Sequence, residues 1–401
     1  MSPAAAPGES VSRTGTRELR VLFLVTGAIV FVDTMFYAAV VPLLPTLTRQ
    51  LHLSKASAGV LTASYALGTL VGSMPGGRLA SRAGPRTAVY MGLLLMACSS
   101  VAFGFLDNIA LLDAARFVQG VGGAYTWAGS LAWLIDAAPV DRRGSAIGGA
   151  LAAAIGGALF GPVIGTLAHL LGRAPVFSAV VVVAGALAAI VRLLPGPPRP
   201  SSELRRTRLL EEIREPATAL SLWLVALPAI ASGVINVLAP LRLSALGASA
   251  IGIGATFLIA AALEALVSPA VGHVSDRRGR LLPLRVGLAA SAVVLLLFTP
   301  PKDVVVVAGV VVLTAVTLGS FWAPAMAMVS DVAESRGVPQ GYAMALTNLA
   351  WAAGQIVGAG GGGALAKATS DAVPFAVASA LCALTLALML LRPLSERLQR
   401  E

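Results

Sequence analysis

The chain reads as an all-α integral membrane protein of twelve transmembrane helices in two pseudo-symmetric six-helix bundles. Three observations predict this. Of 401 residues, 57% are hydrophobic and only 12% charged, with mean hydropathy +0.84. Soluble domains carry roughly 45–50% apolar and about 25% charged residues. So much apolar surface does not fit in a soluble core, which excludes a soluble enzyme. It also excludes disorder, which needs a chain poor in apolar residues. Second, apolar runs of about 20 residues, the length that crosses a bilayer, recur twelve times along the chain. Third, landmarks in the first half return in the second at a nearly constant offset.

The runs lie near residues 20–45, 56–77, 87–106, 109–135, 145–171, 174–194, 217–241, 249–271, 282–300, 304–330, 340–366 and 371–391. They are too long and too apolar for buried strands, and no alternating pattern of the barrel kind is visible. Residues 1–18 are rich in Pro, Ala, Gly, Ser and Arg and read as a flexible tail. The first apolar run is too long for a signal-peptide core and has no obvious cleavage site after it, so it reads as an uncleaved helix. The expected organisation is a tail (1–18), an N-terminal bundle (19–194), a polar, Pro-rich linker (195–216), a C-terminal bundle (217–393) and a second tail (394–401).

Charge sets the orientation. The net charge is +10, from 29 basic and 19 acidic residues. If the twelve runs span, 22 Lys and Arg fall on the side that carries the tails and the linker, six fall on the other side, and Arg116 lies inside a span. Basic residues are retained on the cytoplasmic side, so both termini are expected there and the basic excess needs no nucleic acid to explain it. Only three of the basic residues are Lys, and Ala and Gly abound, which suggests a GC-rich bacterial genome and hence a bacterial inner membrane. Two cysteines, Cys98 and Cys382, and three scattered histidines provide neither a disulfide framework nor a metal cluster. No cofactor and no metal is expected. No G-x-x-x-x-G-K-[ST] stretch is present, which argues against ATP as the driving force.

The duplication is legible in the loops. Gly77, Arg82 and Gly84 fall 195 positions before Gly272, Arg277 and Gly279, and Asp136 falls 195 before Asp331. Gly144, Gly161 and Gly165 fall 197 before Gly341, Gly358 and Gly362. Substrate sites of such duplicated carriers lie near mid-membrane, where the repeats meet.

The stretch Gly77–Arg86 (GRLASRAGPR) resembles the signature loop G-x-L-a-D-r-x-G-r-k of the major facilitator superfamily. Ser81 stands where the family has Asp, and the copy Gly272–Arg280 keeps Asp276. Arg116-Phe-Val-Gln119-Gly120-Val-Gly122-Gly123 is similar to the family's R-x-x-q-G-x-g-a in the fourth helix. Gly157-Ala-Leu-Phe-Gly161-Pro162-Val-Ile-Gly165 is similar to the G-x-x-x-G-P-x-x-G motif of its proton-coupled antiporters. Asp33, followed by Pro42 and Pro45, looks like the first helix of the twelve-span drug/proton antiporters. The resemblance covers residues 18–393. It implies gating roles for Gly77, Arg82, Gly84, Arg86, Gly272, Asp276, Arg277 and Gly279, with Gly157, Gly161, Pro162 and Gly165 shaping the fifth helix.

Three charges stand clearly inside spans: Asp33, Arg116 and Glu264. A charge at the bilayer centre costs about 2.5–3.5 kcal/mol on insertion scales, so such residues face a cavity or a partner. Burial disfavours the ionised form of a carboxyl group. An acid that is neutral in one conformation and ionised in another is what proton coupling requires. Asp33 and Glu264 are the candidates, with Arg116 as the permanent cation that attracts or releases them; the plainer alternative is a fixed structural pair. Helical spacing puts Gln119 and Trp127 on the stripe of Arg116. The substrate-binding candidates are Asp33, Glu264, Gln119 and Trp127, with Tyr37, one turn from Asp33; Asn236; Trp322; and Asn348, Trp351 and Gln355 on one stripe of the eleventh helix. Pro162 bends its helix, and Gly157, Gly161 and Gly165 admit a close neighbour. Aromatic rings beside acids suit an amphipathic cation.

The sequence therefore predicts a transporter working by alternating access. Its expected partners are protons, the lipid bilayer and a small amphipathic compound, with cations among the candidates. Export by exchange for protons is the first reading, and the chain reads as a monomer. The rivals are an uptake symporter or facilitator on the same fold, and a membrane-embedded enzyme. The enzyme would need clustered His, Asp or Cys, and no such cluster is visible.

Overall fold

The computed structural model describes residues 8–138, 143–194, 215–336 and 340–391. The tail 394–401, nearly all of the linker and the side chain of Asp276 lie outside the described residues. Among the described residues twelve helices follow the predicted runs, the first beginning at Gly8, inside the stretch 1–18 expected as a flexible tail. The first, α1, is Gly8–Ala38 continued by Val40–Gln50. Then follow α2 (Lys55–Ala83), α3 (Pro85–Phe105), α4 (Ile109–Ala137), α5 (Arg143–Leu171) and α6 (Arg173–Leu193). The second group is α7 (Pro216–Ala245), α8 (Ala250–Arg278), α9 (Leu281–Leu296), α10 (Val304–Ser335), α11 and α12 (Ala372–Leu391). Helix α11 runs from Gln340–Gln355 through a π-helical segment, Ile356–Gly361, into Gly362–Ala368.

Among the described residues, eight helices are each long and apolar enough to cross a membrane. The other four have physical reasons to fall short. Helix α9 has 16 residues. In α2 and α4 Gly, Ser, Thr, Tyr and Trp dilute the apolar run, and α11 is interrupted by its π segment.

The duplication reaches the helix ends. Ser54 caps α2 by accepting from the Ser57 amide at 3.2 Å, and Ser249, 195 residues on, caps α8 by accepting from the Gly252 amide at 3.1 Å. Asn108 caps α4 through the amides of Ala110 and Leu111, and Asp303, again 195 on, caps α10 through Val305 and Val306. Each cap satisfies donors that a helix start leaves open.

The signature stretch is not the loop the sequence suggested. Residues 78–83 continue α2, and the chain turns at Gly84 alone; 272–278 continue α8, and the chain turns at Gly279. Gly84 has φ 93° and ψ 151°, and Gly279 φ 82° and ψ 159°, a region essentially closed to residues with a side chain. The span edges differ elsewhere too. Helix α1 is interrupted at Ala39, three residues before Pro42, whose ring removes a helix donor. Helix α9 stops at Leu296 rather than near 300.

The glycines of α5 do what their spacing predicts. A side chain at Gly157 would strike the Phe31 carbonyl, at Gly161 Ala38, and at Gly165 the Ala39 carbonyl, so α5 lies backbone to backbone on α1 beside its interruption. The second half repeats this. Gly354, Gly358 and Gly362 of α11 lie against Ala226, Ile230 and Val234 of α7. Without a Cβ, neighbouring helices approach closely enough for dense van der Waals contact.

The two groups of six helices meet toward one face of the protein, here called the far face, where Leu51–Ser54 and Leu246–Ser249 connect helices. Gly84 and Gly279 mark the opposite, near face. Gly59 of α2 abuts Ala359 and Gly363 of α11. Gly254 of α8 abuts Thr166 and Pro162 of α5. Arg49 donates to the Ser244 hydroxyl at 2.8 Å, and Lys55 pairs with Asp371 at 2.5 Å. On the near face Arg280 pairs with Asp331 at 3.0 Å, while Arg336 reaches Glu215 at 3.4 Å.

Candidate polar site in the membrane

Helices α1, α2 and α4 bring one charged cluster together. Asp33 of α1 is fully buried. Its Oδ2 accepts a hydrogen bond at 2.9 Å from the hydroxyl of Tyr65 on α2. Its Oδ1 accepts none of normal geometry, although the Trp127 indole of α4 lies near enough to act on the carboxylate. The cluster is close-fitting because α4 offers no side chain beneath it. A Cβ at Gly123 would come within 2.5 Å of the Tyr65 hydroxyl and 2.9 Å of Asp33 Oδ1.

Arg116, about three turns before Trp127 on α4, is 1% exposed and is among the largest fully buried side chains. It donates to Gln119 Oε1 at 2.7 Å and to the Tyr37 carbonyl at 3.3 Å. Its guanidinium lies 5.0 Å from the Tyr65 ring centre and 5.7 Å from that of Tyr37. Tyr65 thus serves both charges: its hydroxyl holds Asp33 and its π face receives Arg116. Asp33 and Arg116 act on each other electrostatically but form no direct ion pair. A buried cation with partial neutralisation of this kind tolerates the bilayer interior only while its donors stay satisfied. Its Nε is left without an acceptor.

Tyr37 continues the cluster. Its ring is 4.6 Å from that of Tyr65 and 5.6 Å, edge-on, from Trp351 of α11. The site therefore spans both groups of helices. Of the residues singled out from the sequence, Asp33, Tyr37, Arg116, Gln119, Trp127 and Trp351 come together. Asn236 on α7, Trp322 on α10 and Asn348 on α11 are half-buried and are not joined to that cluster by hydrogen bonds. Gln355 is buried at the start of the π segment, with its Oε1 lacking a donor.

Glu264 stands apart. It lies at mid-length of α8, half-buried, with its carboxyl group over Gly319 of α10. Among the described residues it accepts no hydrogen bond and forms no ion pair. Of the gating candidates, Arg86 donates to the Leu194 carbonyl and sits 5.4 Å from the Trp133 ring centre, tying α3 to the end of α6 and to α4. Arg82 and Arg277 occupy the last turns of α2 and α8, and Gly77 and Gly272 face open space. The Ser81 hydroxyl donates within its own turn to the Arg78 carbonyl.

Two residues escaped the sequence reading. Tyr65 sits in an apolar stretch without a charge beside it, and only the meeting of three helices reveals its use. Asp113 falls in the second turn of α4, half-buried with an unpaired Oδ1, one turn from Arg116. Its nearness to a span end hid it.

The model of the family described as Major Facilitator Superfamily matches this chain over residues 26–341 and 222–401. The chain is 32% identical over 165 residues to Multidrug resistance protein 1 of Bacillus subtilis, a match covering 41% of this chain and 42% of that one. It is 31% identical over 166 residues to the Probable vesicular acetylcholine transporter-B of Danio rerio, covering 39% and 34%. It is 27% identical over 136 residues to the Quinolone resistance protein NorA of Staphylococcus aureus, covering 34% and 35%. The chain thus spans about two fifths or less of the length of the curated relatives it matches. With twelve described helices, duplicated caps and turns, and a family match over most of its length, this chain belongs to the Major Facilitator Superfamily, whose members are multi-pass membrane transporters rather than enzymes.

Proposed function

We propose that this protein is a proton-coupled exporter of small amphipathic compounds, cations among them. The observation that carries the reading is the Asp33–Tyr65–Arg116 cluster, a carboxyl group and a permanent cation held deep in the membrane by one phenol. Intramembrane charges of this kind mark ion pathways and proton relays. In the far-face-closed arrangement Asp33 is sealed from water. Opening the far side parts α2 from α11 and α5 from α8, so Tyr37 and Trp351 separate and Asp33 exchanges its proton with solvent.

The two six-helix bundles, 19–194 and 217–393, are the rocking units in this scheme, and the basic loops support termini on the cytoplasmic side. Substrate and proton cross in opposite directions. One elementary charge moving through about 100 mV releases about 2.3 kcal/mol, enough for a nearly fifty-fold gradient. The multidrug and quinolone resistance relatives support export over uptake. The proposed substrate-facing residues are Tyr37, Trp127, Trp351, Gln355, Asn348, Asn236, Trp322 and Glu264, and the monomer suffices as the transporting unit.

Everted membrane vesicles with a pH-sensitive dye test the reading. Substrate-triggered alkalinisation of the lumen is expected from the wild type and not from Asp33→Asn, which still inserts into the membrane. Normal pH-driven efflux by Asp33→Asn overturns the assignment. A growth screen against diverse toxic compounds, with and without the protein, identifies the substrate for the assay.

A further inference from the structure

The duplication fixes an axis, and one charged side chain stands on it. The halves of such carriers are related by an axis along the membrane normal. A residue can touch its own counterpart only where it lies at a two-fold axis. Arg49, at the end of α1, and Ser244, at the end of α7, are counterparts at the offset of 195, and the Arg49 guanidinium donates to the Ser244 hydroxyl at 2.8 Å. The pair therefore marks where the axis leaves the protein on the far face. The connections that follow, Leu51–Ser54 and Leu246–Ser249, flank it at the same offset. Inward, the axis runs between the two groups of helices, where Tyr37 of α1 meets Trp351 of α11. Tyr37 precedes Arg49 by twelve residues, roughly 18 Å of helix. A solute released from that site to the far side leaves past Arg49.

The charge at this mouth is unmatched. Among the described residues, the carboxylates of the far-face connections are all engaged. Asp107 pairs with Arg173, Asp371 pairs with Lys55, and Asp303 accepts from the amides of Val305 and Val306. Arg242, two residues before Ser244, is turned onto the carbonyls of Thr299 and Pro301. Arg49 is exposed, forms no ion pair among the described residues and has only a neutral hydroxyl as hydrogen-bond partner. Its counterpart is uncharged, so the duplication itself does not call for a cation there. A fixed charge at the rim of a low-dielectric cleft focuses its field on whatever ion passes.

We infer that Arg49 is a charge filter on the exit: bound to Ser244 it locks the closed mouth, and in the open mouth its guanidinium opposes the return of cations from the far side. Neutral and anionic solutes pass without that penalty. The inference rests on the export reading above for its direction, and it adds a specificity-determining residue outside the central site. For a cationic substrate the far-side affinity is lowered, which favours release.

The test needs no transported substrate. Gly360→Cys places a thiol in the seam between α2 and α11, in a Cys98→Ser background that removes the exposed native thiol. Right-side-out vesicles holding the full-length protein are labelled at low salt with two membrane-impermeant reagents, the anionic sulfonatoethyl and the cationic trimethylammonioethyl methanethiosulfonate. How often the seam opens affects both alike, so the ratio of their rates reports charge alone. Arg49→Gln is expected to lower the anion-to-cation ratio about tenfold, about threefold from each reagent, as unit charges roughly 6 Å apart in water give. Arg49→Lys should keep the ratio. Salt at about 1 M, where the screening length is about 3 Å, should erase the difference. Ser244→Ala, which releases the lock and keeps the charge, should raise both rates together and leave the ratio alone. An unchanged ratio in Arg49→Gln overturns the filter, and so does a fall in Ser244→Ala equal to that in Arg49→Gln. Labelling by neither reagent when Arg49 and Ser244 are intact means that the far side does not open along this seam, and overturns it as well. The export reading is judged apart, by the alkalinisation assay and the growth screen, neither of which depends on these thiols.

Discussion

Lys55 and Asp371 close the far face with an ion pair that the pseudo-symmetry does not repeat. The ammonium at the start of α2 meets the carboxylate just before α12 at 2.5 Å. The counterparts of these residues, 195 after Lys55 and 197 before Asp371, are Ala250 and Ala174. The glycine contacts around the pair, by contrast, are duplicated: Gly59 on Ala359 in one seam matches Gly254 on Pro162 in the other. The seam is thus a symmetric packing surface with one asymmetric charge latch.

Because the latch is partly exposed, its contribution to folding should be small, about 0–1 kcal/mol. Its effect on the balance between closed and open far faces is larger in relative terms, since two packed states of a carrier differ by only a few kcal/mol. Lys55→Ala should leave the unfolding temperature nearly unchanged, yet raise the labelling rate of a cysteine placed at Gly360 in the seam by severalfold. Exchanging the charges, Lys55→Asp with Asp371→Lys, should return the rate to that of wild type. Equal labelling in all three proteins would show that the glycine packing alone holds the seam.

Tyr65→Phe removes one hydroxyl and leaves every ring contact in place. Asp33 then stays buried with neither oxygen accepting a normal hydrogen bond. Loss of one partner of a buried charged group costs about 1–3 kcal/mol, so proton-driven efflux should fall about tenfold or more while the protein still inserts. The check is vesicle transport of wild type beside Tyr65→Phe at matched expression. A variant with wild-type efflux would remove Tyr65 from the relay.

Why Tyr65 was invisible in the sequence is instructive. Spans, orientation and the α5 glycine stripe are local patterns, written in hydropathy, Lys and Arg placement and spacing by four, and they were legible for that reason. Asp33 and Arg116 were legible because a charge inside an apolar run is costly wherever it points. Tyr65 costs nothing in an apolar run, and its value comes from three helices meeting. The π segment at Ile356–Gly361 is similar. The run of glycines from Gly360 to Gly363 permits it, but the close seats on α2 and α7 are what the segment fits. The break at Gly84 was misplaced for a different reason: polar residues 78–83 look like a loop, although they are the last turns of a helix leaving the membrane.

Gly84→Ala and Gly279→Ala each force a side chain into a backbone region that costs about 1–3 kcal/mol. Neither glycine has a neighbour that an added Cβ would strike, so the penalty is conformational and not steric. Thermal unfolding of the purified protein should show a lowered midpoint for each variant. By contrast, Gly77→Ala and Gly272→Ala, which also face open space but sit within helices, should be neutral or slightly stabilising, because Ala is the better helix former. Equal midpoints for Gly84→Ala and Gly77→Ala would mean the turn can be made without left-handed geometry.

Gly123 gives the strictest test of the charged cluster. A methyl group there would sit 2.5 Å from the Tyr65 hydroxyl and 2.9 and 3.0 Å from the two carboxylate oxygens of Asp33. The atoms it meets cannot simply swing aside. The phenol is held at both ends, by Asp33 and by the neighbouring Tyr37 and Arg116, and its own carbonyl is already pressed against Gly120. Overpacking of this sort costs about 1–3 kcal/mol, and here the displaced atoms are the hydrogen-bonded pair itself. Gly123→Ala should therefore insert and fold, with a modestly lowered melting point, but lose proton-driven efflux nearly as completely as Asp33→Asn. Gly122→Ala, one residue away, meets the Gly92 carbonyl of α3 instead and should lower stability without singling out proton coupling. Measured side by side, the ratio of efflux to melting temperature separates the two: it should collapse for Gly123→Ala and hold for Gly122→Ala. If both variants lose efflux only in proportion to stability, the contact between Asp33 and Tyr65 is packing and not part of the proton path.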